Sequence, residues 1–427
     1  MKPLSKRLQG VIEILDGRID WERRDRGSMR QDLSPMEDLM ARMGHPERAF
    51  RTIHVAGSKG KGSVCALIAA GMTAAGVRVG RYGSPHVERL TERVEVCGRE
   101  VADDLLAGAL EEALEACQAA SSAGSPGESA TWFDLLTAAA FACFAKQEVE
   151  WVVVEVGLGG RLDSTNVVHG EVAVITTIEL EHVELLGSTR GQIAGEKAGI
   201  IDTGAVVVCG PPPGDEAGDV IRARAEDVGA RVVDVDGAEG ITETNRALAG
   251  EALEAVGGLG VRDDRDEAVG RRHLPSPEAG EGHLPGRLER VRAGGVPVVL
   301  DGAHTPASLE GVLEELRELF STRGAPQVVL SLAKDKDTEA LLKVLDGRAD
   351  TLHCTSVGST RHCSADSLFD LALGMGFKAL AHPSPDVAVE VAVAEAGSRG
   401  WVLVTGSLYL VGAVRGGLTA DPESGDP

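Results

Sequence analysis

The run Gly57-Ser58-Lys59-Gly60-Lys61-Gly62-Ser63 has the residue types needed to hold a polyphosphate. It follows a stretch with strand character, Thr52-Ile53-His54-Val55-Ala56. It precedes one with helix character, Val64-Cys65-Ala66-Leu67-Ile68-Ala69-Ala70. A glycine loop in that setting turns backbone N–H groups toward an anion, and the helix dipole adds to their pull. In such a loop Lys61 lies over the terminal phosphates and the Ser63 hydroxyl faces Mg²⁺. The usual pattern places Ser or Thr directly after the lysine; here Gly62 intervenes, so the context fits while the common spacing does not. A glycine-rich surface turn is the alternative, and the adjacent Lys and Ser weigh against it.

Five further clusters carry candidate chemistry: Tyr82-Gly83-Ser84-Pro85-His86, Glu155-Val156-Gly157-Leu158-Gly159-Gly160-Arg161-Leu162-Asp163, Glu179-Leu180-Glu181-His182, Glu196-Lys197-Ala198-Gly199-Ile200 and Asp301-Gly302-Ala303-His304. Four of them fall at or just past the ends of predicted strands, where open α/β sheets place ligands. Singly each is weak. Ser-Pro-His is usually a turn, a Glu-His pair usually solvated surface, and Asp-Gly usually a loop start. Their ordered succession behind a phosphate loop is specific.

The elements that must position these groups follow from periodicity. Residues 31–48 show helical apolar spacing at Leu33, Met36, Leu39, Met40 and Met43. Residues 77–82 and 93–97 read as strands, 101–120 and 131–146 as helices, and 121–129 as a Ser/Gly/Pro linker. Trp151 to Val156 is a continuous apolar run carrying one acid, Glu155, as expected of a strand buried on both faces of a parallel sheet. Val172 to Ile178 and Ala205 to Cys209 repeat the pattern. Residues 257–286, rich in Gly, Pro, Asp, Arg and Glu, read as an exposed linker. Beyond it, strands are expected at 296–300, 327–330, 352–355 and 401–405, with helices at 307–320, 338–346, 365–374 and 386–396. Strands alternating with helices predict an α/β fold: a P-loop-containing, doubly wound N-terminal domain over 1–284 and a smaller Rossmann-like C-terminal domain over 285–418. The last residues, 419–427, read as a disordered tail.

Bulk properties narrow the function classes. A chain of 427 residues exceeds what one core usually supports. Its net charge of −23 repels nucleic acid and anionic membrane, so an anionic substrate must be met by a local basic or metal-lined pocket. The seven cysteines are scattered and contain no C-x-x-C, which argues against a disulfide framework or a zinc ribbon. Leu8 to Leu15 is too short and too polar for a signal or spanning helix, so a cytoplasmic protein is expected. Nothing marks an oligomer interface, and a monomer is the default.

The chain resembles the folylpolyglutamate synthase and dihydrofolate synthase family, within the wider Mur ligase group. The resemblance is carried in order by His54-Val55-Ala56 with the glycine loop, Ser84-Pro85-His86, Thr91-Glu92-Arg93-Val94, the Glu155–Asp163 block with Ser164-Thr165-Asn166, and Glu196-Lys197-Ala198-Gly199-Ile200. It continues through Leu284-Pro285-Gly286-Arg287-Leu288-Glu289, Asp301-Gly302-Ala303-His304, Lys334-Asp335-Lys336-Asp337 and Thr405-Gly406-Ser407. It implies ATP-dependent activation of a carboxylate to an acyl phosphate, which the amine of L-glutamate attacks; the acceptor is dihydropteroate, a reduced folate, or both. By resemblance, Gly57, Lys59, Gly60, Lys61, Gly62 and Ser63 hold ATP together with Asn245 at the adenine, Arg287 at the phosphates and Asp301 at the ribose or phosphates. Ser63, Ser84 and Glu155 ligate one Mg²⁺ and His182 helps hold a second, with a monovalent cation as a further candidate. Lys197 matches a lysine that becomes carbamylated. His304 and Ser407 are placed for the incoming glutamate, His304 counting with Lys61 and Lys197 as catalytic. Thr131, Trp132, Phe133 and Asp134 resemble a pterin-pocket segment to which Leu162, Asp163 and Ser164 contribute. Residues from both domains imply closure around ATP, which would exclude water.

The sequence also departs from the family pattern. Glu181 stands where Asp is usual before His182, Thr305 where Asn is usual after His304, Asp134 where Glu is usual after Phe133, and Ala194-Gly195 where Arg is frequent before the Glu-Lys-Ala-Gly block. Only 34 residues separate Gly210 from Asn245, fewer than the family usually carries. Two alternatives therefore stand beside the folate reading: another Mur-type amino-acid ligase, or a nucleotide-binding module without ligase activity.

Overall fold

The computed structural model describes residues 4–20, 32–235, 238–276, 282–358 and 361–419. By its contacts the chain falls into two compact units. One runs to Glu239 and resumes over Glu243–Gly282; the other comprises Gly240–Thr242 and the chain from His283 onward.

The first unit is built on an eight-stranded sheet. Its strands are β1 (Arg51–Ala56), β2 (Val79–Tyr82), β3 (Val94–Val96), β4 (Arg99–Glu100), β5 (Trp151–Glu155), β6 (Gly170–Ile175), β7 (Val206–Cys209) and β8 (Arg231–Asp234), in the order β4-β3-β2-β5-β1-β6-β7-β8. From β2 to β8 the pairing is parallel; β3 and β4 add antiparallel at one edge. All five residues of β5 are buried because helices cover both faces. Val152 and Val154 point into a core shared with the helices Lys6–Asp16, Ser34–Arg42, Asp103–Ala123 and Trp132–Lys146. Trp151 and Val153 point the other way, toward Lys61–Ala74 and Ile241–Gly258. A third apolar cluster packs Arg190–Ala198 and Glu216–Asp227 against β6 and β7.

Two expectations are adjusted here. The short segment before Asn245 holds one helix, Glu216–Asp227, and one strand, β8, which pairs with β7 and closes the sheet. The stretch 257–286 is not simply an exposed linker. Val269 is buried under the Lys61–Ala74 face, with Leu259, Val261 and Leu274 packed beside it, while residues 277–281 lie outside the described residues. The tail expected over 419–427 lies outside them too, apart from Thr419 at the end of the helix Leu408–Thr419. Among the described residues no helix is long and apolar enough to cross a membrane.

The second unit carries a six-stranded sheet: β9 (Glu289–Ala293), β10 (Val296–Leu300), β11 (Gln327–Leu330), β12 (Thr351–Cys354), β13 (Ala379–Ala381) and β14 (Val402–Thr405), ordered β13-β12-β11-β14-β10-β9. Only β9 is antiparallel, joined to β10 through Gly294 and Gly295, both at positive φ. At the far edge β11, β12 and β13 are tied by a buried polar chain. The Gln327 amide donates to Asp350 Oδ2 at 2.6 Å, so its carbonyl oxygen faces His353 Nε2 at 3.1 Å. That oxygen can only accept. His353 therefore carries its proton on Nε2, and its Nδ1 accepts from His382 Nε2 at 3.0 Å.

Burial, with the positive charges of His382 and Lys378 added, pulls His353 down to about 4 against a partial counterweight from Asp350. Glu395 also lies nearby, 3.8 Å from Nε2. A histidine held neutral in the fold but titrating near 6.5 when unfolded stabilises the fold fully above 6.5 and loses that contribution as pH falls from 6.5 toward 4. The melting temperature of the full chain should fall over that window. In His353→Asn the slope over the same window should be shallower, and equal slopes in parent and variant would refute the assignment.

Candidate active site

The phosphate loop is fixed by its neighbour strand. At Gly57 (φ +149°) a Cβ would lie 1.8 Å from Thr176 Oγ1, an approach only glycine permits. β6 runs beside β1, and the residues that follow it hold the loop. Ser58 N–H donates to the Thr177 carbonyl at 2.7 Å, Lys59 N–H to Thr177 Oγ1 at 3.1 Å, and the Thr176 hydroxyl to the Lys59 carbonyl at 2.5 Å. Lys59 Nζ pairs with Glu179 at 2.7 Å. Gly60 (φ +82°) caps the helix Lys61–Ala74, whose first turn carries Gly62 and Ser63. A Cβ on Gly60 would meet Asn245 Oδ1 at 2.3 Å, so Asn245, buried on Ile241–Gly258, abuts the loop.

Two lysines converge on one oxygen. Lys61 Nζ and Lys197 Nζ donate to the Gly57 carbonyl at 3.0 and 2.8 Å. Lys197, 2% exposed, also pairs with Glu181 Oε1 at 2.8 Å. Burial, then the charge of Lys61, pulls Lys197 down to about 8, against the opposing pull of Glu181. Burial would raise the Glu181 carboxyl, but Lys197 and Lys61 together hold it below its ordinary value. His182 follows at φ +46° and starts the short helix Val183–Leu186.

β5 lies between β2 and β1, so Glu155 at its carboxyl end stands between the Ser84 turn and the phosphate loop. Its carboxylate accepts the Ser84 N–H at 3.0 Å. The chain after Ser84 is clamped by Glu92, which accepts the N–H groups of Val87, Glu88 and Arg89 at 2.7, 2.8 and 2.6 Å. Among the described residues no three His, Cys, Asp or Glu side chains form a metal-binding group. Glu155 and the hydroxyls of Ser63 and Ser84, the candidates named from the sequence, are hard oxygen donors. That suits Mg²⁺, which keeps waters and substrate phosphates in its shell.

On the other side of β5 the pterin-side candidates form a hydrogen-bonded group. Thr131 and Asp134 make a capping box at the start of Trp132–Lys146, with the Thr131 N–H and hydroxyl donating to Asp134 Oδ2 at 2.8 and 2.7 Å. The Ser164 hydroxyl donates to Asp134 Oδ1 at 2.5 Å. Trp132 is a core residue, 2% exposed. Its indole N–H donates to Asp16 at 3.0 Å, and the Arg93 guanidinium lies 4.9 Å from its ring centre. Burial marks Trp132 as part of the core, while Phe133 is half-buried and packs against Gly157. Leu162 is half-buried, and Asp163 is buried beneath the Gly157-Leu158 turn.

In the second unit Asp301 closes β10. Its two oxygens accept the N–H groups of Leu288 and Ala303 at 2.8 Å each. Burial raises its carboxyl despite the nearby Arg287. His304 donates from Nδ1 to the Gly302 carbonyl at 2.9 Å, leaving Nε2 as the lone-pair nitrogen. Thr305 caps the helix Pro306–Leu319, accepting the Ser308 N–H at 3.3 Å. Ser407 is buried; its hydroxyl accepts the Tyr409 N–H at 3.1 Å and lies 3.2 Å from His362 Nε2. Sequence reasoning did not single out Thr176, Thr177 or His362. Thr176 and Thr177 fall inside the strand expected over 172–178, which ends at Ile175 in the structure, and their partner depends on strand order.

Residues 286–408 match the Mur ligase glutamate ligase domain. The dihydrofolate synthase/folylpolyglutamate synthase of Bacillus subtilis is 34% identical over 91% of this chain and 95% of its own length. The chain belongs to this family. It is an ATP-dependent ligase with the two-domain Mur-ligase-type α/β fold. A solved structure of Escherichia coli FolC in complex with DHPP and ADP superposes with a TM-score of 0.81 at 26% identity, covering 98% of this chain and 99% of that one. A bifunctional folylpolyglutamate synthase/dihydrofolate synthase with Mn, AMPPNP and L-glutamate bound gives 0.80 at 26%, covering 98% and 100%.

The loop geometry yields a direct test. Gly60→Ala places a methyl against Asn245 and forces a left-handed alanine, which alone costs about 1 kcal/mol. The variant should bind ATP at least about tenfold more weakly by calorimetric titration while remaining folded. Unchanged affinity would show that the Gly60–Asn245 contact does not shape the nucleotide site.

Proposed function

We propose that this chain is a bifunctional enzyme that joins L-glutamate to dihydropteroate and to reduced folates, each through an acyl phosphate. The observation that carries this reading is the convergence of Lys61 and Lys197 on the Gly57 carbonyl, with Glu155 between the phosphate loop and the Ser84 turn. Phosphoryl transfer to a carboxylate needs positioned cations more than covalent help. Lys61 meets the terminal phosphates, the loop N–H groups hold the rest, and Asn245 is assigned to the adenine. Mg²⁺, held by Ser63, Ser84 and Glu155 with His182 at a second position, would neutralise charge on the transferring phosphoryl group. Phe133 with Asp134 and Ser164 is assigned to the pterin side, and Trp132 supports them from the core. Arg287 and Asp301 are assigned to the nucleotide, and His304 and Ser407 to glutamate. His304 presents a nitrogen lone pair able to take a proton from the attacking ammonium, which must become an amine before it can attack.

Lys197 is assigned as a carbamylated lysine. Its amine must be neutral to attack CO₂, and a value near 8 leaves a workable neutral fraction. The resulting anion would face Glu181, so carbamylation and cation binding support one another. A monomeric cytoplasmic enzyme completes the reading.

With Mg²⁺-ATP and L-glutamate, purified protein should release ADP when dihydropteroate or tetrahydrofolate is added and not without an acceptor. Release with one acceptor alone would remove the bifunctional claim; release with neither would favour another Mur-type ligase. Lys61→Ala should lose turnover by at least about a hundredfold, the scale of one essential electrostatic group. Lys197→Ala should also lose turnover and regain part of it with short carboxylic acids; full activity, or no rescue, would count against a carbamate.

A further inference from the structure

His54 sits in the middle of β1, three residues before Gly57, at 0% exposure. Nothing in the chemistry above uses it, and an aliphatic side chain would suit a position whose partners on the flanking strands are Val154 and Ala173. Its Nε2 lies 2.9 Å from Thr165 Oγ1. The Thr165 hydroxyl is 2.5 Å from Asp163 Oδ1, which also accepts the Thr165 N–H at 3.0 Å. Asp163 Oδ2 accepts the Leu158 N–H at 2.8 Å. Both carboxylate oxygens thus face N–H donors, and the carboxylate acts as an acceptor. The single hydroxyl proton of Thr165 is committed to Asp163, so Thr165 receives the proton of His54 Nε2. The imidazole is then neutral, as burial alone dictates. Its Nδ1 is a bare lone pair, buried and without a hydrogen-bond partner among the described residues. A buried polar group with one nitrogen unpaired calls for an explanation, and here the bonded nitrogen offers one.

What it holds is the turn on which Phe133 packs. A Cβ on Gly157 would meet Phe133 Cζ at 2.7 Å and Asp163 Oδ2 at 3.1 Å, so ring and carboxylate both pack against the turn. We propose that His54 is a positioning residue: through Thr165 it orients Asp163, which sets the Gly157-Leu158 turn and hence the acceptor side of the site, from the same strand that ends in the phosphate loop. This rests on the assignment of Phe133 and Asp163 to the acceptor side.

The test uses the full chain with His54→Leu, His54→Gln, Thr165→Val and the His54→Leu/Thr165→Val pair. Leucine fills the volume without a donor, glutamine returns an N–H near the Nε2 position, and valine is threonine without its hydroxyl. The KM for dihydropteroate should rise about tenfold in His54→Leu and Thr165→Val, the scale of one lost hydrogen bond, while the KM for ATP stays within about twofold. His54→Gln should recover most of the loss, and the double variant should be no worse than the poorer single. A parallel rise in both KM values, additive singles, or no recovery by glutamine would overturn the relay. Hydrogen exchange gives a readout independent of turnover. The Leu158 amide should exchange faster in Thr165→Val and His54→Leu, and the Lys59–Lys61 amides should not. An unchanged Leu158 amide overturns the proposal whatever the substrate, whereas a parent without acceptor-dependent ADP release overturns the functional reading and leaves the exchange test to decide this one. If His54→Leu does not fold, Thr165→Val carries both arms.

Discussion

Two ammonium groups share one carbonyl oxygen, and much of the first unit exists to make that arrangement bearable. Like charges this close repel. Lys61 is partly solvated, but Lys197 is buried, so its charge needs the Gly57 carbonyl and the Glu181 carboxylate as direct partners. The carbonyl can point at both lysines only if Gly57 takes a backbone conformation and a proximity to Thr176 that no other residue tolerates. Lys197 can reach it only because Arg190–Ala198 is anchored by Ile193 and Ala194 against β6 and β7. In a chain of net charge −23 these lysines are a local supply of positive charge. An anionic ligand is therefore met by placed cations such as Lys61 rather than by the general field.

The same constraint explains the sheet. A parallel order with β5 between β2 and β1, and β6 on the far side of β1, brings four carboxyl ends side by side. The Ser84 turn, Glu155, the glycine loop and Thr176-Thr177 then become neighbours without being close in sequence. Continuous valine runs are the physical requirement for that order, since a parallel strand covered by helices on both faces has no solvent side to mark.

This is also why some of the molecule was legible in the sequence and some was not. Val152-Val153-Val154 and the glycine run announce themselves locally, because their composition is dictated by burial on two faces and by positive φ. The edge strands β9 and β13 do not: β9 reads Glu-Arg-Val-Arg-Ala, and β13 is three residues of mixed exposure. Val269 lay in a polar run, and one apolar residue is enough to seat it. In the site, residue types that do chemistry were readable, while their holders were not. Thr176, Thr177 and Glu92 act on backbone groups of other segments, so their role depends on strand order and turn shape. Trp132 shows another limit: an aromatic at the right place in a motif can belong to the core, with Asp16 and Arg93 as its partners.

A common rule links the two units. The side chains assigned to ligands are already tied to backbone groups: Glu155 to the Ser84 N–H, Asp301 to those of Leu288 and Ala303, His304 to the Gly302 carbonyl, Ser407 to the Tyr409 N–H. Such bonds do not remove these groups from chemistry. Each carboxylate oxygen has two acceptor directions, and an imidazole anchored through Nδ1 presents Nε2 in a defined direction. The backbone thus fixes orientation before any ligand arrives, so binding does not have to order the groups it uses. A side chain held this way is sensitive to its anchoring residue as well as to its own identity. The relay from His54 to Asp163 extends that dependence one step further, into a strand whose apolar side chains only fill space.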